Sequence, residues 1–128
     1  TGNNRDLNRY RWNHKNITEK LKNTKSKQSI FYKSITNLLE VRRKQKAFHP
    51  NALRTSINLG SKIFCFRKES IDKKQTVICI TNLSSKFQYP KLNKKFLEWN
   101  DLLGSKVITL SNRKIKLKPF QTVWLSNK

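Results

Sequence analysis

SIFYKSITNLLEVRRKQKAFHPNA, from Ser29 to Ala52, is the stretch of this chain with the clearest helical period. Phe31, Ile35, Leu38, Leu39 and Arg42 fall at i, i+4, i+7, i+8 and i+11, which lines four apolar side chains along one stripe. Ser26 or Ser29 can cap its start, because a short hydroxyl accepts from the free amides of a first turn. Arg42, Arg43, Lys44 and Lys46 load its end, where cations complement the helix dipole. His49-Pro50-Asn51 stops it, since the residue before a proline resists helical backbone angles.

Upstream of this helix, Thr1 to Lys25 is polar, with a short helix expected over Asn16–Asn23, capped by Asn16 with Glu19 three residues on. Downstream, Leu53 to Lys128 reads as strands separated by turns: SINL, KIFCFRK, TVICITNL, KFQYPKL, LEWNDLL, KVITL, RKIKLK and TVWLS are short, β-branched and aromatic. ESIDKKQ is the expected hairpin loop, and Gly60, Gly104 and Ser111-Asn112 mark further turns. Short strands at close spacing predict an antiparallel sandwich or barrel. In RKIKLK, Lys114, Lys116 and Lys118 alternate with Ile115 and Leu117, so one face is buried. The other is a lysine ladder, read either as a solvated face or as a ligand-binding stripe. A polar loop and helices followed by an all-β module looks like the end of one domain joined to the whole of another.

The chain has 128 residues, room for about one domain with an extra element. Its hydrophobic fraction is 35% and its mean hydropathy −0.78. Twenty-nine Lys and Arg against seven Asp and Glu give a net charge of +22. Such a balance suits a binder of nucleic acid or anionic membranes, or reflects lysine spread over ordinary exposed positions. The lysines run from Lys15 to Lys128 without a block of five like charges, which favours the second view. Cys65 and Cys79 have neither zinc-finger nor redox spacing, and only His14 and His49 could join them on a metal, so both are expected as buried free thiols in a reducing compartment. No apolar run reaches about 18 residues, so no membrane span is expected.

No catalytic constellation is complete. The carboxylates Asp6, Glu19, Glu40, Glu69, Asp72, Glu98 and Asp101 are scattered and form no evident acid/base pair. The three glycines are far apart, which excludes a phosphate-cradling loop. Phe64 and Phe66 could stack bases, but they bracket Cys65 among apolar neighbours and are expected on a core face. The densest polar cluster is RDLNR, Arg5 to Arg9. It is either a solvated loop or a site loop in which guanidinium groups grip hydroxyls or phosphate.

Three stretches together resemble a known family. TGNNRDLNR resembles the Gly-x-x-Arg-Asp-Ile-Asn-Arg segment of the sucrose phosphorylases and related glucoside phosphorylases of glycoside hydrolase family 13. IFYKSITNLLEVRRKQKAFHPNA resembles that group's last barrel helix, and KPFQTVWLS its terminal strand, with Phe120 where tyrosine is usual. The phenyl ring of Phe120 is expected to serve as a core anchor.

The resemblance implies an α+β chain. Residues 1–51 would supply the last active-site loop and closing helices of a (β/α)8 barrel, and residues 52–128 a small antiparallel β-sandwich C-terminal domain. It implies a barrel upstream that carries the three catalytic carboxylates, none of which any residue of this chain matches. The implied reaction is a retaining double displacement on an α-glucoside, with phosphate releasing glucose 1-phosphate. Arg5 corresponds to the arginine that contacts the glucosyl unit, while Asp6 and Arg9 correspond to residues that hold that loop. The implied partners are an α-glucoside and phosphate in the full-length parent, in the cytoplasm; no cofactor, metal or membrane is expected, and nucleic acid enters only under the alternative reading. Ala47-Phe48-His49-Pro50-Asn51 leans toward the subgroups acting on sucrose 6-phosphate and glucosylglycerate rather than sucrose. The alternative reading is a basic nucleic-acid-binding β module, and the chain alone is expected to be inactive.

Overall fold

The computed structural model describes residues 11–104, 108–109 and 111–128. The chain divides into two compact units, Thr1–Leu39 and Glu40–Lys128.

In the first unit, helix α1 spans His14–Lys22, and the side chain of Asn13 accepts the amide of Lys15 at 2.9 Å. The cap is Asn13 rather than Asn16, which lies inside the helix. A capping side chain reaches the free amides only from an extended residue, and Asn13 has φ −70° and ψ 132°. Helix α2 spans Lys27–Arg43. Ser26 caps it, its Oγ accepting the amide of Ser29 at 3.0 Å. The apolar stripe of α2 lies open: Phe31, Ile35 and Leu39 are all exposed. With Trp12, Ile17 and Leu21, Phe31 and Ile35 line an apolar concavity of about 310 Å³.

In the second unit, α2 ends with the Gln45 side-chain amide donating to the Val41 carbonyl at 3.2 Å, and a 3-10 turn follows at Lys46–Phe48. Strands β1 (Leu53–Ser56), β2 (Ile63–Glu69), β3 (Thr76–Asn82), β4 (Asn100–Asp101) and β7 (Thr122–Ser126) form an antiparallel sheet in the order β1-β2-β3-β7-β4. Strands β5 (Ile108–Thr109) and β6 (Ile115–Lys116) form a separate two-stranded pair. The register sets Cys65 opposite Ile80 and Phe66 opposite Cys79. Ile80 in turn stands opposite Val123, and Cys79 opposite Trp124.

Alternation then sorts the sheet into two faces. Cys65, Ile78, Ile80, Val123 and Leu125 point to one, none more than 4% exposed. Ile115, Leu117 and Leu92 cover that face, each buried side chain worth about 1.5–3 kcal/mol. Phe66, Val77, Cys79 and Trp124 form the other face, against Ala47, Phe48 and Leu102. The Phe48 and Trp124 rings lie 4.8 Å apart.

Several expected strands differ. The first is Leu53–Ser56 and not SINL, because Ile57 to Gly60 turn the chain back, with Gly60 at φ 106°. KFQYPKL makes only the isolated bridges Gln88↔Leu117 and Lys91↔Lys114, since Pro90 has no amide to continue a ladder. LEWNDLL is interrupted: a short helix, α3 (Lys94–Leu97), is capped by Asn93, leaving only Asn100–Asp101 as strand. The layer over the main sheet is therefore a ribbon and loops. ESIDKKQ does form the hairpin loop between β2 and β3, with Lys73 at φ 55°. Among the described residues no helix is long and apolar enough to cross a membrane.

Candidate functional site

Arg5, Asp6 and Arg9 lie outside the described residues, so the loop they share has no geometry here. What the structure does describe is the scaffold that joins the end of α2 to the β module. Gln75, the last residue of the hairpin loop, organises it. Its Oε1 accepts the buried amide of Ala47 at 3.0 Å, and its Nε2 donates to Gln45 Oε1 at 2.6 Å and to Ser126 Oγ at 3.4 Å. The Gln75 amide donates to Ser70 Oγ at 2.9 Å. One carboxamide thus ties the 3-10 turn, the hairpin and the last strand together.

Asn82, fully buried at the end of β3, does the same at the opposite end of the sheet. Its Nδ2 donates to the Lys86 and Lys118 carbonyls, both at 2.8 Å. Its Oδ1 accepts the Ser84 amide at 2.9 Å and the Ser84 hydroxyl at 2.8 Å. Neither residue was singled out from sequence. The available signal was a polar amide at each end of the apolar run TVICIT.

The sheet face near α2 carries a groove of about 380 Å³ bordered by Arg42, Arg54, Phe64, Phe66, Lys68 and Trp124. Phe64 is 45% exposed, so the expectation of a core face fails for it. Strand alternation turns Phe64 and Phe66 away from Cys65, onto the face that is only partly covered. The Arg54 guanidinium lies 4.8 Å from the Phe66 ring centroid and 5.9 Å from that of Phe64. Phe120 also departs from expectation: it is 68% exposed at φ 54°, because the turn after Pro119 swings it off the sheet.

Burial pushes the Cys65 thiol up to about 11. Burial, and then the neighbouring Cys65, push Cys79 up to about 12. Both are free thiols, buried as expected, and are uncharged near neutrality. Asp72 is held well below the usual carboxylate range, first by the Ser70 hydroxyl at 2.6 Å, then by the Lys74 amide at 3.1 Å and Lys46 at 3.2 Å. It builds the hairpin turn. Glu69 pairs with Arg67. Asp101 accepts the amides of Trp124 at 2.7 Å and Leu103 at 3.2 Å.

Comparison with known proteins places this scaffold. No family model matches the chain. It is 29% identical over 84 residues to a glucosylglycerate phosphorylase of Spirochaeta thermophila, covering 66% of this chain and 14% of that protein. It is 28% identical over 127 residues to the glucosylglycerate phosphorylase of Escherichia coli K12, covering 97% of this chain and 21% of that protein. The chain therefore spans about a fifth or less of these relatives. Its fold matches that of a family GH13_31 enzyme with TM-score 0.58 and 22% identity, over 88% of this chain and 18% of the other. The chain resembles the C-terminal part of a glucoside phosphorylase-like protein of glycoside hydrolase family 13, and its β module has the architecture found in that family.

Proposed function

We propose that this chain serves as the C-terminal part of a retaining α-glucoside phosphorylase, with glucosylglycerate as the substrate favoured among glucosylglycerate, sucrose 6-phosphate and sucrose. The observation that carries this reading is the similarity to the Escherichia coli glucosylglycerate phosphorylase over 97% of the chain. On this reading residues 1–51 complete a (β/α)8 barrel and residues 52–128 form the β domain behind it. The nucleophile, the acid and the stabilising carboxylate come from polypeptide beyond these residues. The reaction runs in two displacements. A carboxylate attacks the anomeric carbon as the leaving oxygen is protonated, and phosphate then displaces the carboxylate to give glucose 1-phosphate.

Arg5 contacts the glucosyl unit, where a guanidinium fork can hold two hydroxyls at once. Asp6 and Arg9 hold the loop in place. The Gln75 hub clamps the residues after α2 to the sheet. A cytoplasmic setting belongs to the same proposal and accords with two buried, unpaired cysteines.

The test is a chimera in which this chain replaces the matching segment of the Escherichia coli relative. Glucose 1-phosphate released from glucosylglycerate and phosphate by the chimera, and none by the isolated chain, is the expected result. A folded chimera with no activity on any of the three glucosides would overturn the reading.

A further inference from the structure

Independently of the glucoside reading, the ribbon that covers the main sheet has an outer surface of unusual composition. Residues 73–97 and 102–128 contain no aspartate or glutamate at all. The bridges Gln88↔Leu117 and Lys91↔Lys114 bring these two segments side by side, antiparallel. Backbone bonds join them from Leu117 to Gln88 at 2.9 Å, from Ile115 to Pro90 at 3.1 Å and from Leu92 to Arg113 at 2.8 Å. Pro90, Leu92, Ile115 and Leu117 point inward and are buried. By alternation Phe87, Tyr89 and Lys91 point outward on one segment, and Lys114, Lys116 and Lys118 on the other.

The outer face thus presents two aromatic rings beside a row of ammonium groups, with no carboxylate from either segment to neutralise them. Phe87 is 46% and Tyr89 47% exposed, large for rings in the middle of a paired segment. The Lys116 ammonium lies 4.6 Å from the Phe87 ring centroid, so charge and ring are offered together. Successive outward positions on a strand are about 7 Å apart. That is roughly twice the 3.4 Å step along one strand of a stacked duplex, so two neighbouring rings suit bases drawn apart in a single strand.

We propose that this ribbon face binds single-stranded nucleic acid, with bases stacked on Phe87 and Tyr89 and phosphates held by Lys114, Lys116 and Lys118. Base stacking on a ring tolerates any sequence, and lysine contacts to phosphate carry no sequence information, so the binding is non-specific and salt-dependent. A fully duplexed nucleic acid cannot offer its base faces to the rings. An anionic bilayer would call for a continuous apolar patch where this face alternates rings with charges.

Fluorescence anisotropy of a labelled oligothymidine of about 15 nucleotides, long enough for one such site, tests this on the full chain. The native chain is expected to bind with log affinity falling linearly with log salt. Phe87→Ala with Tyr89→Ala should weaken binding by about tenfold or more. Lys114→Gln with Lys118→Gln should reduce the salt slope by about 1 to 2, since each phosphate left unneutralised takes about 0.7 from it. Thermal melting of each variant checks that these exposed substitutions leave the fold intact. Binding no tighter than that of a size-matched basic control protein would overturn the proposal. So would an aromatic variant that binds like the native chain, or equal affinity for the oligonucleotide and its duplex. Phosphatidylserine vesicles that compete at equal charge would show a general anionic surface instead, and would also overturn it.

Discussion

Gln75 and Ala47 are 28 positions apart in sequence, yet the Gln75 carboxamide accepts the Ala47 amide at 3.0 Å in a fully buried position. That bond closes the gap between the turn after α2 and the β module. Gln75→Ala should leave the Ala47 amide without a partner and cost about 1–3 kcal/mol. Gln75→Glu keeps the acceptor but sets a buried carboxylate against the Gln45 side-chain oxygen, so it should cost more than Gln75→Ala at neutral pH. Urea unfolding of the three chains checks the order.

Asn82 uses both donors and both lone pairs of its side chain, and no exposed atom remains. Asn82→Asp should be worse than a simple deletion, because the Lys86 and Lys118 carbonyls would then face a carboxylate. Asn82→Ala should cost about 2–3 kcal/mol, and Asn82→Asp more at neutral pH than at pH 3, where the acid is protonated. A melting series against pH reads the difference.

The two buried thiols give the alkaline limb of the stability curve a defined direction. Their values rise on folding from about 9 to about 11 for Cys65 and about 12 for Cys79, so the folded chain holds its protons longer than the unfolded one. Stability from this source is full below pH 9 and is lost as pH rises from there toward 11 and 12. A Cys65→Ala, Cys79→Ala chain is expected to start less stable and to lose less between pH 8 and pH 10. Parallel stability-versus-pH curves for the two chains would show otherwise. Native alkylation by iodoacetamide at pH 8 should also be slow, and fast once urea unfolds the chain.

Asp72 works in the opposite sense. Its value falls on folding, chiefly through the Ser70 hydroxyl, so its contribution is present above the unfolded value of about 3.9 and disappears as pH drops below it. Ser70→Ala should move the Asp72 titration upward in a carbon-detected NMR experiment, and Lys46→Ala should move it less. An unshifted Asp72 in the Ser70→Ala chain would show that the hydroxyl is not the main cause.

In the active chimera, Arg5→Lys should lower kcat/KM on the glucoside by roughly tenfold or more, the loss of one side of a two-pronged grip. Asp6→Asn and Arg9→Lys should lower it less while lowering the melting temperature. If Arg5→Lys leaves the rate unchanged, Arg5 does not touch the glucosyl unit.

Much of the architecture was legible locally. The 3.6-residue period marked α2, ESIDKKQ marked the β2–β3 hairpin, and alternation in RKIKLK marked Ile115 and Leu117 as buried. These features depend on neighbours within one turn or one strand, so a single sequence carries them. The quoted motifs also gave the family resemblance that the relatives support.

Other features depended on residues far apart. Alternation says that a strand has two faces, but not which is covered. KIFCFRK could have buried Phe64 and Phe66, and only the ribbon's arrival over Cys65, Ile80 and Val123 left Phe64 half open. The pairing of β3 with β7, with Cys79 opposite Trp124, is set by the docking of a strand 45 residues away, for which no local preference codes. The roles of Gln75 and Asn82 follow from the same cause, since a buried amide has value only where distant backbone groups converge on it. Sequence alone therefore determined the long helix, the β2–β3 hairpin and the family that the chain resembles, while the strands of the covering layer were set by tertiary contact. Tertiary contact decided which faces remain open to solvent, because burial belongs to the pair of surfaces that meet and not to either segment.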